Sequence, residues 1–113
     1  MTPVETLQAW FAAHRDGDMD AVRGLLAPDA PIVLPDRTLH GLDGLLAYFA
    51  ERTAQRPDFS YSVADVLAGT DHAAALLDMV EGERRWRQLA LYTVREDRIT
   101  GIWAAEDDRP VGS

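Results

Sequence analysis

The chain contains neither cysteine nor lysine. Without cysteine there is no disulfide framework, no thiol nucleophile and no thiolate metal site. Without lysine, Schiff-base chemistry by a lysine amine is excluded. All 11 basic residues are arginine, against 19 acidic ones, and the formal net charge of -8 leaves no basic footprint for nucleic-acid phosphates. Nothing approaches the run of roughly 18 apolar residues that a membrane span requires. No basic stretch followed by an apolar one opens the chain, so the expectation is a soluble, cytoplasmic protein without a membrane partner. The three histidines, His14, His40 and His72, lack ligand-like spacing. No phosphate loop or dinucleotide fingerprint is present, so neither a metal nor a cofactor is implied.

What is present is enough for one folded domain. The 113 residues are 47% hydrophobic, and no repeat or low-complexity tract divides them. The domain is expected over residues 1–108, with Arg109–Ser113 as a loose, flexible tail.

Punctuation by glycine, proline and acids makes the order of elements readable. Thr2-Pro3-Val4-Glu5 is a capping box with proline at the first helical position. Val4, Leu7, Trp10, Phe11 and His14 then share one helical face. Gly17 suits a left-handed helix end, and Asp18 can cap a second helix carrying Val22, Leu25 and Leu26. Pro28, Pro31 and Pro35 frame a short extended Ile32-Val33-Leu34, followed by a Pro35–Gly41 loop. Gly41 opens a third helix, with Leu42, Leu45, Leu46 and Phe49 as its stripe and Tyr48 at the edge. Four strands follow, at Phe59–Leu67, His72–Glu81, Arg85–Arg95 and Arg98–Glu106. Helices first and a strand meander last is an α+β pattern, in which helices cover one face of a curved sheet and enclose a pocket.

Alternation along the strands groups their side chains by face. Pairing Val80 with Arg87, and Arg95 with Arg98, collects Leu76, Asp78, Val80, Arg87, Leu89, Leu91, Ile102, Ala104 and Glu106 on one side. That face is expected to line the pocket, with Asp78, Arg87 and Glu106 gathered at one end. The opposite face carries Leu77, Met79, Trp86, Gln88, Ala90, Tyr92, Val94 and Trp103 and is too apolar to be purely solvated.

The stretch Ala12-Ala13-His14-Arg15-Asp16-Gly17-Asp18-Met19-Asp20-Ala21-Val22 resembles the helix–helix signature of the nuclear transport factor two-like superfamily. Within it the chain is most similar to the SnoaL-like and ketosteroid isomerase-like branch. Leu25-Leu26-Ala27-Pro28-Asp29-Ala30, Gly41 and Glu96-Asp97-Arg98-Ile99 fit in register, so the resemblance runs from about Val4 to Asp107. It implies a cystatin-like α+β roll: a cone-shaped, curved mixed sheet covered by three N-terminal helices, with a deep apolar pocket. It also implies a homodimer through the outer sheet face, which would use Trp86, Tyr92 and Trp103.

The catalytic groups of well-known members are largely missing. The tyrosine and two acids of ketosteroid isomerase-like members fall at Trp10, Leu91 and Leu34, so steroid isomerisation by that mechanism is not expected. The arginine and two aspartates of limonene epoxide hydrolase-like members fall at Leu76, Asp78 and Ala104. The last-strand aspartate of SnoaL-type cyclases also falls near Ala104, with Glu106 the nearest inward acid.

Asp78 is the first candidate for a catalytic acid or base, because it interrupts an apolar strand opposite a possible arginine partner. Arg87 and Glu106 could assist it by polarising a substrate oxygen. His14 could act as a base or orienting donor, one turn after Trp10. His40 and Asp36 lie in the loop at the pocket mouth, Tyr48 and Tyr61 offer hydroxyls, and His72 reads as surface. Trp10, Leu34, Leu76, Leu89, Leu91, Ile102 and Ala104 would form the apolar wall. The expectation is acid–base catalysis without a cofactor on a small apolar molecule of polyketide or terpenoid type: cyclisation, isomerisation, dehydration or epoxide opening. The competing expectation is a non-catalytic binder or dimerising accessory domain of the same fold.

Overall fold

The computed structural model describes residues 1–107; the expected tail at Arg109–Ser113 lies outside them. Three helices, α1 (Pro3–Asp16), α2 (Met19–Leu25) and α3 (Gly41–Gln55), are combined with six strands. The strands are β1 (Pro31–Val33), β2 (Thr38–His40), β3 (Ser60–Ala68), β4 (His72–Glu81), β5 (Arg84–Arg95) and β6 (Arg98–Asp107). They form one curved, unclosed sheet in the order β2-β1-β6-β5-β4-β3. β1 runs parallel to β6, and the other neighbours are antiparallel. The result is the expected α+β cone.

Local chemistry accounts for the helix ends. The Glu5 amide donates to Thr2 Oγ1 at 3.1 Å and the Thr2 amide donates to Glu5 Oε1 at 2.9 Å, so the capping box is complete. Such a cap contributes on the order of 1 kcal/mol. Gly17 closes α1 at φ 69°, and the Asp18 carboxylate accepts from the Ala21 amide to start α2. Gly41 is obligatory for two reasons. Its φ is +68°, and a Cβ there would run into the Pro28 carbonyl oxygen.

The loop expected between Pro35 and Gly41 contains β2, which pairs with β1 through Ile32↔Leu39. Three residues of alternating polarity are too short a signal to separate from a turn.

Pairing within the long strands departs from expectation in two places. Between β4 and β5 the register is shifted by two residues, Val80 pairing with Arg85 and Asp78 with Arg87, which leaves the grouping by face unchanged. The other departure is on β6. Arg95 does face Arg98, across a turn in which Glu96 and Asp97 take φ 53° and 64°. Beyond it Thr93 pairs with Gly101 while Val94 pairs with Ile99, so Thr100 is an extra residue on β6. The bulge is held by the Thr100 hydroxyl, 2.9 Å from Thr93 Oγ1 and 3.3 Å from the Thr93 carbonyl oxygen, to which it donates. One extra residue reverses every side chain downstream relative to the partner strand. Leu91 therefore opposes Trp103 rather than Ile102, and Gln88 rather than Arg87 opposes Glu106. A second bulge at Ala64 separates the pairs Val63↔Leu77 and Asp65↔Leu76 on β3. Both bend the sheet around the helices.

On β4 and β5 the inward face is the one expected to look outward, whereas the bulge on β6 leaves Ile102 and Ala104 facing inward. Ala73, Ala75, Leu77 and Met79 of β4 are buried, with Trp86, Ala90 and Tyr92 of β5 and Ile99 and Ile102 of β6. They pack against Leu7, Trp10 and Ala13 of α1, with Leu42 and Leu45 of α3 in the same core. The small side chains of Ala73 and Ala75 let α1 lie close to β4. Leu76, Asp78, Val80, Arg87, Leu89 and Leu91 consequently sit on the convex face, and Trp86 and Tyr92 do not. Among the described residues, no helix is long and apolar enough to cross a membrane.

Candidate active site

A cavity of about 90 Å³ lies between the helices and the concave sheet face. The strands supply Leu77 and Met79 from β4, Gln88, Ala90 and Tyr92 from β5, and Ile102 and Ala104 from β6. β1 and its continuation supply Ile32 and Leu34, and β3 supplies Tyr61, preceded by Phe59. From α1 come Trp10, Phe11 and His14, and from α3 Leu45, Tyr48, Phe49 and Arg52. Helical spacing explains the last two sets: Trp10 and His14, like Tyr48 and Arg52, are four residues apart and stack on one face. Among the described residues, no carboxylate lines the cavity.

A groove of about 660 Å³ along β3 adjoins the cavity. Phe11, His14, Phe49, Phe59 and Tyr61 line both spaces. Phe11 stands between the two tyrosines, with ring centroids 6.4 Å from Tyr61 and 6.1 Å from Tyr92.

His14 is the imidazole that lines both spaces. Its Nδ1 lies 2.8 Å from the Trp10 carbonyl oxygen. A carbonyl oxygen only accepts, so Nδ1 carries the hydrogen and Nε2 holds a lone pair. Nε2 has no hydrogen-bond partner among the described residues. Burial pushes the imidazole below its ordinary pKa of 6.5, opposed by the hydrogen bond to Trp10. The ring packs at a tilt against Trp10, centroids 4.3 Å apart. His14 is thus a neutral base of defined tautomer beside an apolar space.

Two phenols in the cavity are held in their neutral form. Desolvation raises the Tyr61 pKa above its ordinary value. Desolvation, and then the neighbouring Tyr61, raise that of the fully buried Tyr92. Both are therefore hydroxyl donors across the working pH range.

At another part of the wall, Arg52 Nη1 donates to Tyr48 Oη at 2.9 Å and Arg52 Nη2 to Glu81 Oε2 at 3.1 Å. Arg56 Nη1 stands 3.5 Å from the other Glu81 oxygen. The Arg52 guanidinium lies 4.5 Å from the centroid of Phe59 and 5.7 Å from that of Trp86. Arg52 Nε and Trp86 Nε1 are buried with no protein acceptor among the described residues.

The residues expected from sequence divide into two groups. Trp10, His14, Leu34, Tyr48, Tyr61, Ile102 and Ala104 line the cavity. Asp78 and Arg87 instead form an ion pair at 3.1 Å on the convex face, with side chains 38% and 48% exposed. Leu76, Leu89 and Leu91 share that face. Glu106 has the inward parity of Gln88 but is exposed beyond the cavity lining. His40 is exposed at the N-terminus of α3, and Asp36 is paired with Arg37 on the surface. Neither lines the cavity, and His72 is exposed as expected. Among the described residues, no group of three or more histidines and acids is placed to hold a metal ion.

Arg52, Gln88 and Tyr92 were not among the expected site residues. Arg52 could have been found as the residue one helical turn after Tyr48. Gln88 is a polar residue interrupting the apolar face of its strand, the signal that instead drew attention to Asp78.

A family model of the SnoaL-like domain matches residues 7–102. Among solved structures, IdmH, a proposed polyketide cyclase from Streptomyces antibioticus, is 25% identical with a TM-score of 0.75. The match covers 95% of this chain and 93% of that one. A proposed ketosteroid isomerase from Kribbella flavida is 17% identical, with a TM-score of 0.76 and coverage of 96% and 80%. A SnoaL-like protein of unknown function from Burkholderia thailandensis is 22% identical, with a TM-score of 0.69 and coverage of 88% and 89%. The last two likenesses establish shared fold alone. A search of the curated proteins found no match.

Proposed function

The chain belongs to the SnoaL-like family, and from that premise we propose that it is a cytoplasmic acid–base enzyme acting on a small, largely apolar carbonyl compound of polyketide or terpenoid type. The observation that carries this reading is His14: a neutral imidazole lining an apolar cavity, with Nδ1 tied to the Trp10 carbonyl oxygen and Nε2 without a partner among the described residues. Nε2 takes a proton from a carbon next to the substrate carbonyl, and the C–H electron pair moves into an enolate. The enolate carbon then attacks a second carbonyl, closing a ring, and the new alkoxide takes the proton back from Nε2; alternatively Nε2 returns the proton to the far carbon of a conjugated enolate, isomerising the substrate. Side chains alone carry both outcomes. The similarity to a proposed polyketide cyclase over most of both chains supports the cyclising form.

Two copies pair through the convex sheet face in this reading, supported by the exposed Leu89, Leu91 and Trp103. A second reading, ligand binding without catalysis, is favoured by a cavity lining that holds no carboxylate among the described residues.

Deuterium incorporation separates the two. A panel of aryl ketones and 1,3-diketones is incubated with the protein in deuterated water and followed by NMR. Exchange next to the carbonyl that His14→Gln abolishes is the result expected of the enzyme. Tight binding with no exchange above solvent rate would leave only the binder.

A further inference from the structure

Tyr48 has a hydrogen to give and nothing among the described residues to receive it. Its oxygen accepts from Arg52 Nη1 at 2.9 Å. A guanidinium has no lone pair to offer, so the Tyr48 O–H must point at some other acceptor. No described residue provides one, and Tyr48 lines the cavity. Arg52 cannot readily turn away. Nη2 is tied to Glu81, whose side chain is only 12% exposed, and its face lies against Phe59. Glu81 is itself held from its other oxygen by Arg56.

Charge balance narrows the acceptor. Glu81 offsets the charge of Arg52, and Asp58, 3.6 Å from Arg56, offsets that of Arg56. Arg37, 5.4 Å from the Tyr48 ring centroid, is offset by Asp36 and Glu51, so the site presents a polarised hydroxyl without a net positive charge. That combination suits a neutral carbonyl oxygen, or the enolate that develops from it. It does not suit a free carboxylate, whose desolvation would go uncompensated.

We propose that the Tyr48 hydroxyl, aimed by Arg52 and Glu81, is the point at which the cavity holds the substrate carbonyl oxygen, so that the substrate is a ketone, ester or lactone and not a carboxylic acid. This rests on the cavity being the substrate site. Tyr48 is the contacting residue; Arg52 and Glu81 are positioning residues.

The test uses three probes of similar shape: acetophenone, α-methylstyrene, in which a CH₂ replaces the oxygen, and benzoate. Binding is followed by fluorescence of Trp10 in the cavity wall, and the hydrogen bond by the carbonyl stretch of isotope-labelled acetophenone. The intact protein is expected to bind acetophenone about tenfold more tightly than α-methylstyrene, and benzoate most weakly. The carbonyl band should move to lower frequency on binding.

In Tyr48→Phe the ketone advantage and the band shift should both vanish, while α-methylstyrene binds as before. Arg52→Met and Glu81→Gln should each reduce the shift, and Glu81→Gln carries the test if Tyr48→Phe fails to fold by circular dichroism. A band shift indifferent to both Tyr48→Phe and Glu81→Gln, or benzoate binding best, overturns the subsite while leaving the cavity reading intact. No binding of acetophenone or α-methylstyrene overturns both.

Discussion

Along β4 and β5, neighbouring residues enter opposite environments. Leu77 and Met79 wall the cavity, while Leu76 and Asp78 look away from it; Gln88, Ala90 and Tyr92 face inward, while Leu89 and Leu91 face out. The inner face mixes small alanines with large aromatics, matching a surface that must fit helices in one place and leave space in another. The outer face is a flatter band. In register across four strands lie Leu67, Ala74, Leu91 and Trp103, and beside them Asp65, Leu76, Leu89 and Ala105, with the Asp78–Arg87 pair along one margin. The Trp103 ring lies over Gly101, filling a place where a Cβ would meet it at 2.9 Å. Both faces are apolar. The lesson is that hydrophobicity alone does not identify the core side of a sheet; what does is the face against which the helices pack.

Breaking the inner face should have the largest effect. His14→Gln is expected to lower turnover about 10²–10⁴-fold with little change in fold, measured with whichever ketone undergoes exchange. The rate should fall as pH drops through a value below 6.5, because burial lowers the His14 pKa. Retained exchange in that variant would remove His14 from the chemistry.

Leu77→Ala against Leu76→Ala sharpens the comparison on a single strand. The first should cost about 2–5 kcal/mol in urea unfolding and the second under about 1 kcal/mol. A comparable, concentration-dependent loss at Leu76 would mean that a second copy buries the outer face.

Trp103→Glu tests that pairing directly. If two copies meet there, sedimentation should show a halved mass with cavity binding retained. An unchanged mass for both proteins would place the contact elsewhere.

Smaller effects concern titration and the surface pair. His14 has a folded-state pKa below its ordinary one, so its contribution to stability is complete above pH 6.5. That contribution is lost as pH falls through 6.5 and on through the lowered folded value. His14→Gln should remove this part of the acid sensitivity, which thermal unfolding between pH 7 and 5 would detect. Asp78→Asn should change stability by less than about 1 kcal/mol and leave exchange intact, as for an exposed ion pair. A strong activity loss there would return Asp78 to the mechanism.

Much of this protein was settled locally and is legible in the chain. The Thr2–Glu5 capping box, Gly17, Asp18 and Gly41 place the helix ends through contacts within a few residues, or through backbone angles that glycine tolerates best. Helical spacing put Trp10 and His14 on one face, and alternation grouped Asp78 with Arg87. Tertiary structure decided which group faced the cavity, because a period of two says which side chains travel together but not which side the helices will cover. It also decided where β6 changed phase: Thr100 bulges out of the ladder, bonded to Thr93 across the strand pair, and carries Ile102 and Ala104 to the face of Tyr92 and Ala90. The network from Glu81 through Arg52 to Tyr48 likewise joins residues 29 apart and then four apart. It exists only once α3 has docked beside the end of β4.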